Sequence, residues 1–181
     1  MQNEASGVLN LFRQGDADAF EALFRQHHRA VYGWILRIVR NPAAAEELTV
    51  ETFWRIYQAH ARFDPERGFE GWARRIATRV ALDWLRANKM ESELSMESSA
   101  EVAAPVEADP AVTAEIRRKT ALAFGRLPPK LRIAATLAVI EEQPQKEVAV
   151  ALGISVAAVK GRVFRALRLL RKDLEEQGIT P

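Results

Sequence analysis

The stretch from Glu147 to Lys172 constrains the fold of this chain most, because it has the pattern of two helices joined by a tight turn. Gly153 supplies the positive backbone angle that a sharp turn needs, and Ser155 is a good cap for the helix that follows. The small side chain of Ala149 allows the two helices to cross closely. The pattern predicts a helix-turn-helix, a motif whose second helix enters the major groove of DNA.

The second of these helices has two faces of opposite character when it is wound at about 100° per residue. The apolar stripe, which we expect to face a core, consists of Val156, Val159, Val163, Leu167 and Leu170. No acid occurs between Ser155 and Lys172. We therefore predict a DNA-binding surface that consists of Ser155, Lys160, Arg162, Arg165, Arg168 and Lys172. A basic surface helix on any small bundle would give the same pattern, and this alternative stays open.

The net charge of +2 conceals a segregation of charge along the chain. The stretch from Met90 to Glu115 contains seven acids and no Lys or Arg, which leaves +9 on the other residues, a balance typical of nucleic-acid binders. Residues 89–112 have no aromatic and few large aliphatic side chains, as a flexible linker does. Fully extended at about 3.3 Å per residue, this acidic linker reaches ~80 Å. Two domains can thus occupy separate sites.

Helical periodicity predicts an N-terminal domain, residues 1–88, with three long helices. Asp18 begins the first helix in a capping-box-like pattern, and this helix runs to Asn41. Asn41 caps the second helix, which has a proline in its first turn. The pattern breaks at residues 62–69, and a third helix follows over residues 70–88.

Proline and glycine residues divide the C-terminal domain, residues 113–181, into further helices. Breaks fall at Pro128 and at Pro144, and Gly178 ends the last helix. No alternating strand pattern occurs anywhere in the sequence. The expected fold class is therefore all-α, with two small helical domains joined by a flexible acidic linker.

The third helix combines cationic with aromatic side chains. Its arginines line one face, and a tryptophan lies at the edge of the apolar arc beside them. Aromatic faces next to cations suit unstacked bases, because stacking needs no duplex geometry. The predicted single-strand-binding surface consists of Phe63, Phe69, Trp72, Arg75, Arg79 and Arg86. Aromatic residues at helical spacing are also typical of a core, so this interpretation stays open for the aromatic members.

Composition excludes several classes of function. The chain has no cysteine and only three histidines, so we expect no disulfide, no metal site and no cofactor. No apolar run is long enough for a membrane span, and the first ten residues lack the pattern of a signal peptide, so we expect a cytoplasmic protein. No nucleophile, base and orienting group can be assembled, and no glycine-rich phosphate loop occurs. We therefore do not expect an enzyme.

In the order of its elements the chain resembles the sigma factors of bacterial RNA polymerase, in their minimal two-domain extracytoplasmic-function group. The family's N-terminal promoter-opening domain is similar to DAFEALFRQHHRAVYGWILRIVRNPAAAEELTVETFWRIY and GFEGWARRIATRVALDWLR. Its C-terminal domain is similar to LPPKLRIAATLAVIEEQPQKEVAVALGISVAAVKGRVFRALRLLRK. The resemblance covers nearly the whole chain, and both halves in this order across an acidic linker are highly specific.

The resemblance implies a docking site for core RNA polymerase in AEELTVETF, with Glu47, Leu48, Glu51, Thr52 and Phe53 as candidate residues. Two positions there depart from the family pattern: Glu47 replaces the usual Asp, and Val50 replaces the usual Gln. In the third helix, Arg79 stands where an Asn is common.

The resemblance also implies how the promoter is read. The helix-turn-helix would bind the upstream element, with Arg162 and Arg165 nearest to base edges and the other cations on phosphates. Residues 63–70 would receive a flipped base of the downstream element, beside Trp72. Core polymerase, promoter DNA and an inhibitory anti-sigma factor are the partners that the family implies. The expected function is promoter-specific initiation of transcription.

A stand-alone helix-turn-helix regulator is the alternative function from a different class. Its N-terminal half would serve as a sensor or dimerisation domain, and it would bind duplex DNA without polymerase. The aromatic and basic third helix speaks against this alternative, because a sensor domain does not require such a surface.

Overall fold

A computed structural model of the chain describes residues 2–92 and 112–179. These residues form helices and short helical turns and contain no strand, which confirms the all-α fold class. The chain divides into two compact units, residues 1–100 and 101–181. The predicted linker, residues 89–112, lies mostly outside the described residues, and the predicted domain boundaries stay predictions.

In the first unit, three long helices form a bundle. Its helices are α1 (Gln2–Arg13), α2 (Ala17–Val39), α3 (Pro42–Gln58) and α4 (Phe69–Ser92). The helices α2, α3 and α4 pack against one another in every pairwise combination. Two 3-10 turns, His60–Arg62 and Pro65–Arg67, connect α3 to α4, and α1 packs on α2 and on both turns. Helical periodicity in the sequence predicted the three bundle helices but not α1.

Local capping signals set where the bundle helices begin. The side chain of Asn41 accepts a hydrogen bond of 3.1 Å from the backbone N–H of Ala44, as predicted for the cap of α3. The predicted start of α2 at Asp18 was wrong by two residues. Asp16 is the cap instead and accepts a 2.8 Å bond from the N–H of Ala19, because only Asp16 has the extended backbone that a cap requires.

The second unit consists of shorter helices that pack on one long helix. Its helices are α5 (Val112–Arg126), α6 (Pro129–Ala135), α7 (Gln145–Leu152) and α8 (Val156–Glu176), with a π-helical turn at Thr136–Ile140. The helices α5, α6 and α7 each pack on α8. The core of this unit includes Ala123, Leu127, Ala135, Ala166 and Leu170.

The predicted helix-turn-helix is formed by α7 and α8. Gly153 ends α7 with a φ of 64°, and the N–H of Ile154 donates a 3.0 Å bond to the carbonyl of Ala149. Ser155 then caps α8 by accepting a 3.1 Å bond from the N–H of Ala158. The turn therefore rests on Gly153 and Ser155, as the sequence predicted.

The apolar stripe of α8 is narrower than predicted. Val159 and Leu170 are buried, whereas Val156 and Val163 are half-buried and Leu167 is exposed. Ala166, which was not in the predicted stripe, is fully buried. The reason is that α5, α6 and α7 all pack on α8. At the centre of this contact the helices lie too close for a large side chain, and Ala166 occupies the position.

Candidate nucleic-acid interface

The outer face of α8 carries four cations and one aromatic side chain. We call this set the α8 surface: Lys160, Phe164, Arg165, Arg168 and Lys172. All five side chains are exposed. Within the described residues, Lys160 and Arg168 form no ion pair, and Arg165 donates a 3.1 Å bond to the carbonyl of Gly161. Lys172 lies 3.8 Å from Glu176, one turn further on. The charge of the first three turns is therefore not neutralised by acids of the described chain.

Two residues change the predicted composition of this surface. Arg162 is only partly exposed, because it lies at the border between the outer face and the buried arc. Phe164 was not predicted as a site residue, yet 68% of it is exposed, between Lys160 and Arg168 on the outer face. The sequence did contain the signal, since position 164 falls one turn from each of those cations.

The backbone of α8 is accessible between the cations. Gly161 follows Lys160 on the outer face, and a Cβ added to it would meet no heavy atom within 4 Å beyond its chain neighbours and the backbone of its own helix. Ala157 is exposed one turn earlier. Small side chains at these two positions leave room for a groove wall close to the helix axis.

A tryptophan and three arginines form a second row along α4. We call this row the α4 stripe: Trp72, Arg75, Arg79 and Arg86. The spacing of three, seven and fourteen residues places all four on one side of the helix. The three arginines are exposed and Trp72 is half-buried. Arg79 has no ion pair among the described residues. The stripe thus joins an aromatic edge to a line of positive charge.

An acid interrupts the α4 stripe near its end. Asp83 accepts a 2.7 Å bond from Arg86 and lies 4.0 Å from Nη1 of Arg55 on α3. Arg55 in turn donates a 2.6 Å bond to Glu51. Arg86 is therefore a weaker candidate for DNA contact than Arg75 or Arg79, because part of its charge is already compensated.

Two predicted aromatic members of the single-strand surface lie in the core instead. Phe63 is 2% exposed and Phe69 is 4% exposed, and their ring centroids are 6.0 Å apart. The two rings pack against Trp72 at 5.1 and 6.2 Å. At this burial neither ring has an exposed face on which a base could stack, so their burial argues against the predicted stacking role of both. The hydrophobic effect explains this placement, because both rings remove apolar surface from water.

The loop that carries Phe63 has a defined shape. This loop, residues 59–68, is called the α3–α4 loop. The carboxylate of Asp64 accepts a 3.2 Å bond from the N–H of Glu66 and lies 3.2 Å from Nε of Arg67. Gly68 has a φ of 71°, a conformation that favours glycine, and it leads the chain into α4. Asp64, Glu66 and Arg67 are exposed around the turn.

The predicted polymerase-docking residues lie on two different sides of α3. Glu47 is exposed and Glu51 is half-exposed, whereas Leu48, Thr52 and Phe53 are buried in the bundle. The hydroxyl of Thr52 donates a 2.7 Å bond to the carbonyl of Leu48. The three buried side chains thus lack the exposure that a direct contact requires, and the docking role of the five residues stays a prediction.

The outer side of α3 instead exposes two large apolar side chains that the sequence analysis did not select. Val50 is 69% exposed and Trp54 is 55% exposed. The spacing of Glu47, Val50 and Trp54 places them on one face, which we call the α3 face. The signal was available, because these positions fall opposite the buried residues of α3.

One titratable group in the first unit has a shifted pKa. Burial lowers the pKa of His27 from its ordinary value of 6.5, while the nearby Glu70 carboxylate opposes part of the change. The imidazole of His27 lies 4.9 Å from the ring of Phe69.

Two further features concern ligands and membranes. Within residues 2–92 and 112–179, no three His, Asp or Glu side chains are grouped so as to hold a metal ion. None of the helices in the described part of the chain combines the length and apolar character that crossing a bilayer requires.

Comparison with known proteins identifies the family. The family model of Sigma-70 region 2 matches residues 23–90, and that of Sigma-70, region 4 matches residues 117–170. The RNA polymerase sigma factor CarQ of Myxococcus xanthus is 36% identical over 171 residues, which cover 93% of this chain and 96% of the relative. The chain belongs to the sigma-70 family of RNA polymerase sigma factors. The predicted family is thereby confirmed.

Other relatives agree with this assignment to the sigma factors. The ECF RNA polymerase sigma factor SigW of Bacillus subtilis is 30% identical over 174 residues, covering 91% of this chain and 93% of the relative. The solved structure of CnrH in complex with the cytosolic domain of CnrY has a TM-score of 0.60 at 25% identity, and the match covers 94% of this chain and 97% of the solved one.

A third match supports the fold alone, because its sequence identity is 17%. It is the sigma factor RpoE of Bartonella quintana in complex with the anti-sigma factor NepR, with a TM-score of 0.67 over 86% of this chain and 96% of the solved one.

As a member of the sigma-70 family, the present chain directs promoter-specific initiation by RNA polymerase. The alternative of a stand-alone regulator is not favoured.

Proposed function

We propose that this sigma factor divides promoter recognition between its two cationic surfaces, with the α8 surface on duplex DNA and the α4 stripe on melted DNA. The observation that carries this proposal is the position of Trp72. Trp72 is a half-buried aromatic side chain in line with Arg75 and Arg79, whereas the α8 surface has small side chains beside its cations. The first arrangement suits an unstacked base and the second suits a groove.

At the upstream element, Arg165 and Arg168 are the best candidates for base contact. Both are exposed at the centre of the outer face of α8. Phe164 lies beside them and offers an apolar contact, such as the methyl group of thymine accepts. Lys160 and Lys172 at the ends of the surface suit phosphates, since an ammonium group acts as a point charge. Arg162 is reassigned to the rim because it is half-buried.

At the downstream element, the α3–α4 loop and the edge of Trp72 form the receiving site for a flipped base. Phe63 and Phe69 hold Trp72 from behind, with ring centroids within 6.2 Å of it. Arg75 and Arg79 are exposed further along the stripe, where they suit the phosphates of the opened strand. Strand opening then requires no bond chemistry, because stacking and charge contacts offset the loss of base pairing.

Core polymerase docks on the α3 face in this proposal. Exposed aromatic side chains are enriched at the centres of protein interfaces, and Val50 and Trp54 are the largest exposed apolar groups of α3. Val50 stands where the family usually has Gln, so the contact here gains apolar area in place of a hydrogen bond. Glu47 and Glu51 lie on or beside this face and suit basic residues of the polymerase.

An anti-sigma factor is the proposed inhibitor, as in the complex of RpoE with NepR. The exposed apolar side chains of α3 and α8 suit such a partner, because covering them removes apolar surface from water. We place the protein in the cytoplasm, where its polymerase is found, and assign it no catalytic reaction of its own.

Reconstitution with purified core polymerase tests the proposed function. Run-off transcription from a pool of genomic promoter fragments should start at a defined subset only when this protein is added. Failure to start from any fragment above the level of core polymerase alone contradicts the proposal. Replacement of Val50 and Trp54 by Ser should abolish initiation and core binding together, whereas Gln26→Ala, a change at an exposed position of α2, should leave both unchanged.

A further inference from the structure

The side chain at the centre of the aromatic cluster in the first unit comes from α1. Phe12 is fully buried, and its ring centroid lies 5.5 Å from Phe63, 5.7 Å from Phe69 and 6.1 Å from Trp72. Two further rings, Phe20 at 6.2 Å and His60 at 6.4 Å, complete its surroundings. One residue of α1 thus contacts α2, the α3–α4 loop and the start of α4.

A hydrogen bond ties the same loop to the end of α1. Nδ1 of His60 lies 3.0 Å from the backbone carbonyl of Arg13, and since a carbonyl only accepts, the ring nitrogen donates. Gly15 lies under the imidazole with a φ of 89°, and a Cβ at this position would come within 3.0 Å of Cε1 of His60. The turn after α1 is therefore shaped to receive His60.

The α3–α4 loop has few other anchors. Phe63 is its one deeply buried side chain, whereas Ala61, Arg62 and Glu66 are exposed. Both 3-10 turns of the loop pack on α1. Removal of the ring at position 12 therefore takes away the main surface on which the loop rests.

We propose that α1 is a positioning element for base capture, in which Phe12 and His60 hold the α3–α4 loop and Trp72 in their receiving geometry. The inference rests on the proposed function, because it assigns a role in the same downstream site. It extends that site to a helix that precedes residue 23, where the match to the region 2 family model begins. Neither residue need touch DNA; both act through the loop and Trp72.

Hydrogen exchange on the free full-length chain provides the first test. The N–H groups of Arg62, Phe63 and Gly68 donate bonds within the loop. In Phe12→Leu these amides should exchange about tenfold faster, since the loop opens locally at lower cost. Ile35→Val, a core change in α2, is the matched control for general loss of stability. Equal acceleration of the loop amides in both variants would overturn the inference.

Base discrimination in the holoenzyme provides the second test. The templates are promoter fragments whose strands are already separated across the downstream element. Each opened position carries each of the four bases in turn. Core polymerase transcribes these fragments together with the full-length chain. The wild type should prefer one base about tenfold at the captured position, which corresponds to about 1.4 kcal/mol of discrimination. Phe12→Leu should reduce this ratio toward one while core binding is unchanged.

The controls separate positioning from folding and from the proposed function itself. Ile35→Val and Leu11→Ala, an exposed neighbour of Phe12, should keep the wild-type ratio. His60→Ala should lower the ratio, and His60→Asn should restore it, because the asparagine amide can donate from the position of Nδ1. A Phe12→Leu protein with the wild-type ratio would refute the positioning role alone. No base preference in the wild type would refute both the proposed base capture and this inference.

Discussion

The helices α4 and α8 both carry rows of arginine, but the two rows are built differently. The α4 stripe begins at a tryptophan supported by buried rings and ends in an ion pair between Arg86 and Asp83. The α8 surface has a glycine between its cations, and no acid occurs between Ser155 and Lys172. Positive charge alone therefore does not define what a helix binds. The side chains between the charges separate a site for an unstacked base from a site for a groove.

Removal of the aromatic edge of the α4 stripe should have the largest effect. We expect Trp72→Ala to weaken binding of a single-stranded downstream oligonucleotide by about 1 to 3 kcal/mol, because one stacking contact is lost. Binding of an upstream duplex should not change. Fluorescence anisotropy with both probes measures the two affinities, and Trp72→Phe is the control that retains a stacking ring. An equal loss on both probes would show that the two surfaces are not specialised.

The corresponding change on the α8 surface should have the opposite selectivity. Arg165→Ala should weaken upstream duplex binding by about tenfold and relax the preference at one base pair, if the guanidinium group reads a base edge. Arg162→Ala should have a smaller effect because this side chain is half-buried at the rim. Competition binding with duplexes substituted at each position provides the measurement. A uniform loss across all sequences, with a salt slope reduced by about one, would assign Arg165 to a phosphate.

The N-terminal cap of α8 tests how much the stability of this helix contributes to the α8 surface. Ser155→Ala removes the acceptor for the N–H of Ala158 and should destabilise the second unit by about 1 kcal/mol. Thermal unfolding followed by circular dichroism measures this loss, and Ser155→Asp should restore the stability because Asp also caps well. Single-strand binding by the α4 stripe should stay the same in both variants. A parallel loss of single-strand binding would mean that the two surfaces are coupled.

The smallest expected effect is a pH dependence of the stability of the first unit, in which His27 lies against Phe69 at the start of α4. Because burial lowers the pKa of His27, the folded state binds a proton less readily than the unfolded state, whose pKa is near 6.5. The stability that neutral His27 contributes is present above pH 6.5 and is lost as the pH falls through the folded pKa. Thermal unfolding of the first unit between pH 8 and pH 5 should show this loss, and His27→Gln should reduce it. Gln26→Ala, a nearby exposed change on α2 that removes no titratable group, should leave it unchanged.

The sequence predicted those features whose cause is local. Asn41 and Pro42 mark the start of α3, and Gly153 with Ser155 marks the turn before α8, because the atoms that satisfy these signals lie within three or four residues. Binary patterning likewise gave the helical class of both units.

The misplaced site residues depend on contacts between distant parts of the chain. Phe63 and Phe69 are buried because Phe12 reaches them from α1, which the sequence analysis did not predict. Likewise, the resemblance to sigma factors marked a segment of α3 but not which of its side chains are exposed. Packing against α2 and α4 decided that side and left Val50 and Trp54 outside.

Gly161 has a consequence for how this protein can change. Alanine at this position would make α8 more stable by about 1 kcal/mol, because glycine is a poor residue for the interior of a helix. The surrounding atoms do not forbid it, since the space beside Gly161 is open. The native helix is thus less stable than the fold allows at the position where no side chain covers its backbone. In the proposed duplex site, a larger side chain at position 161 would therefore change the surface that α8 offers to DNA without any rearrangement of the core.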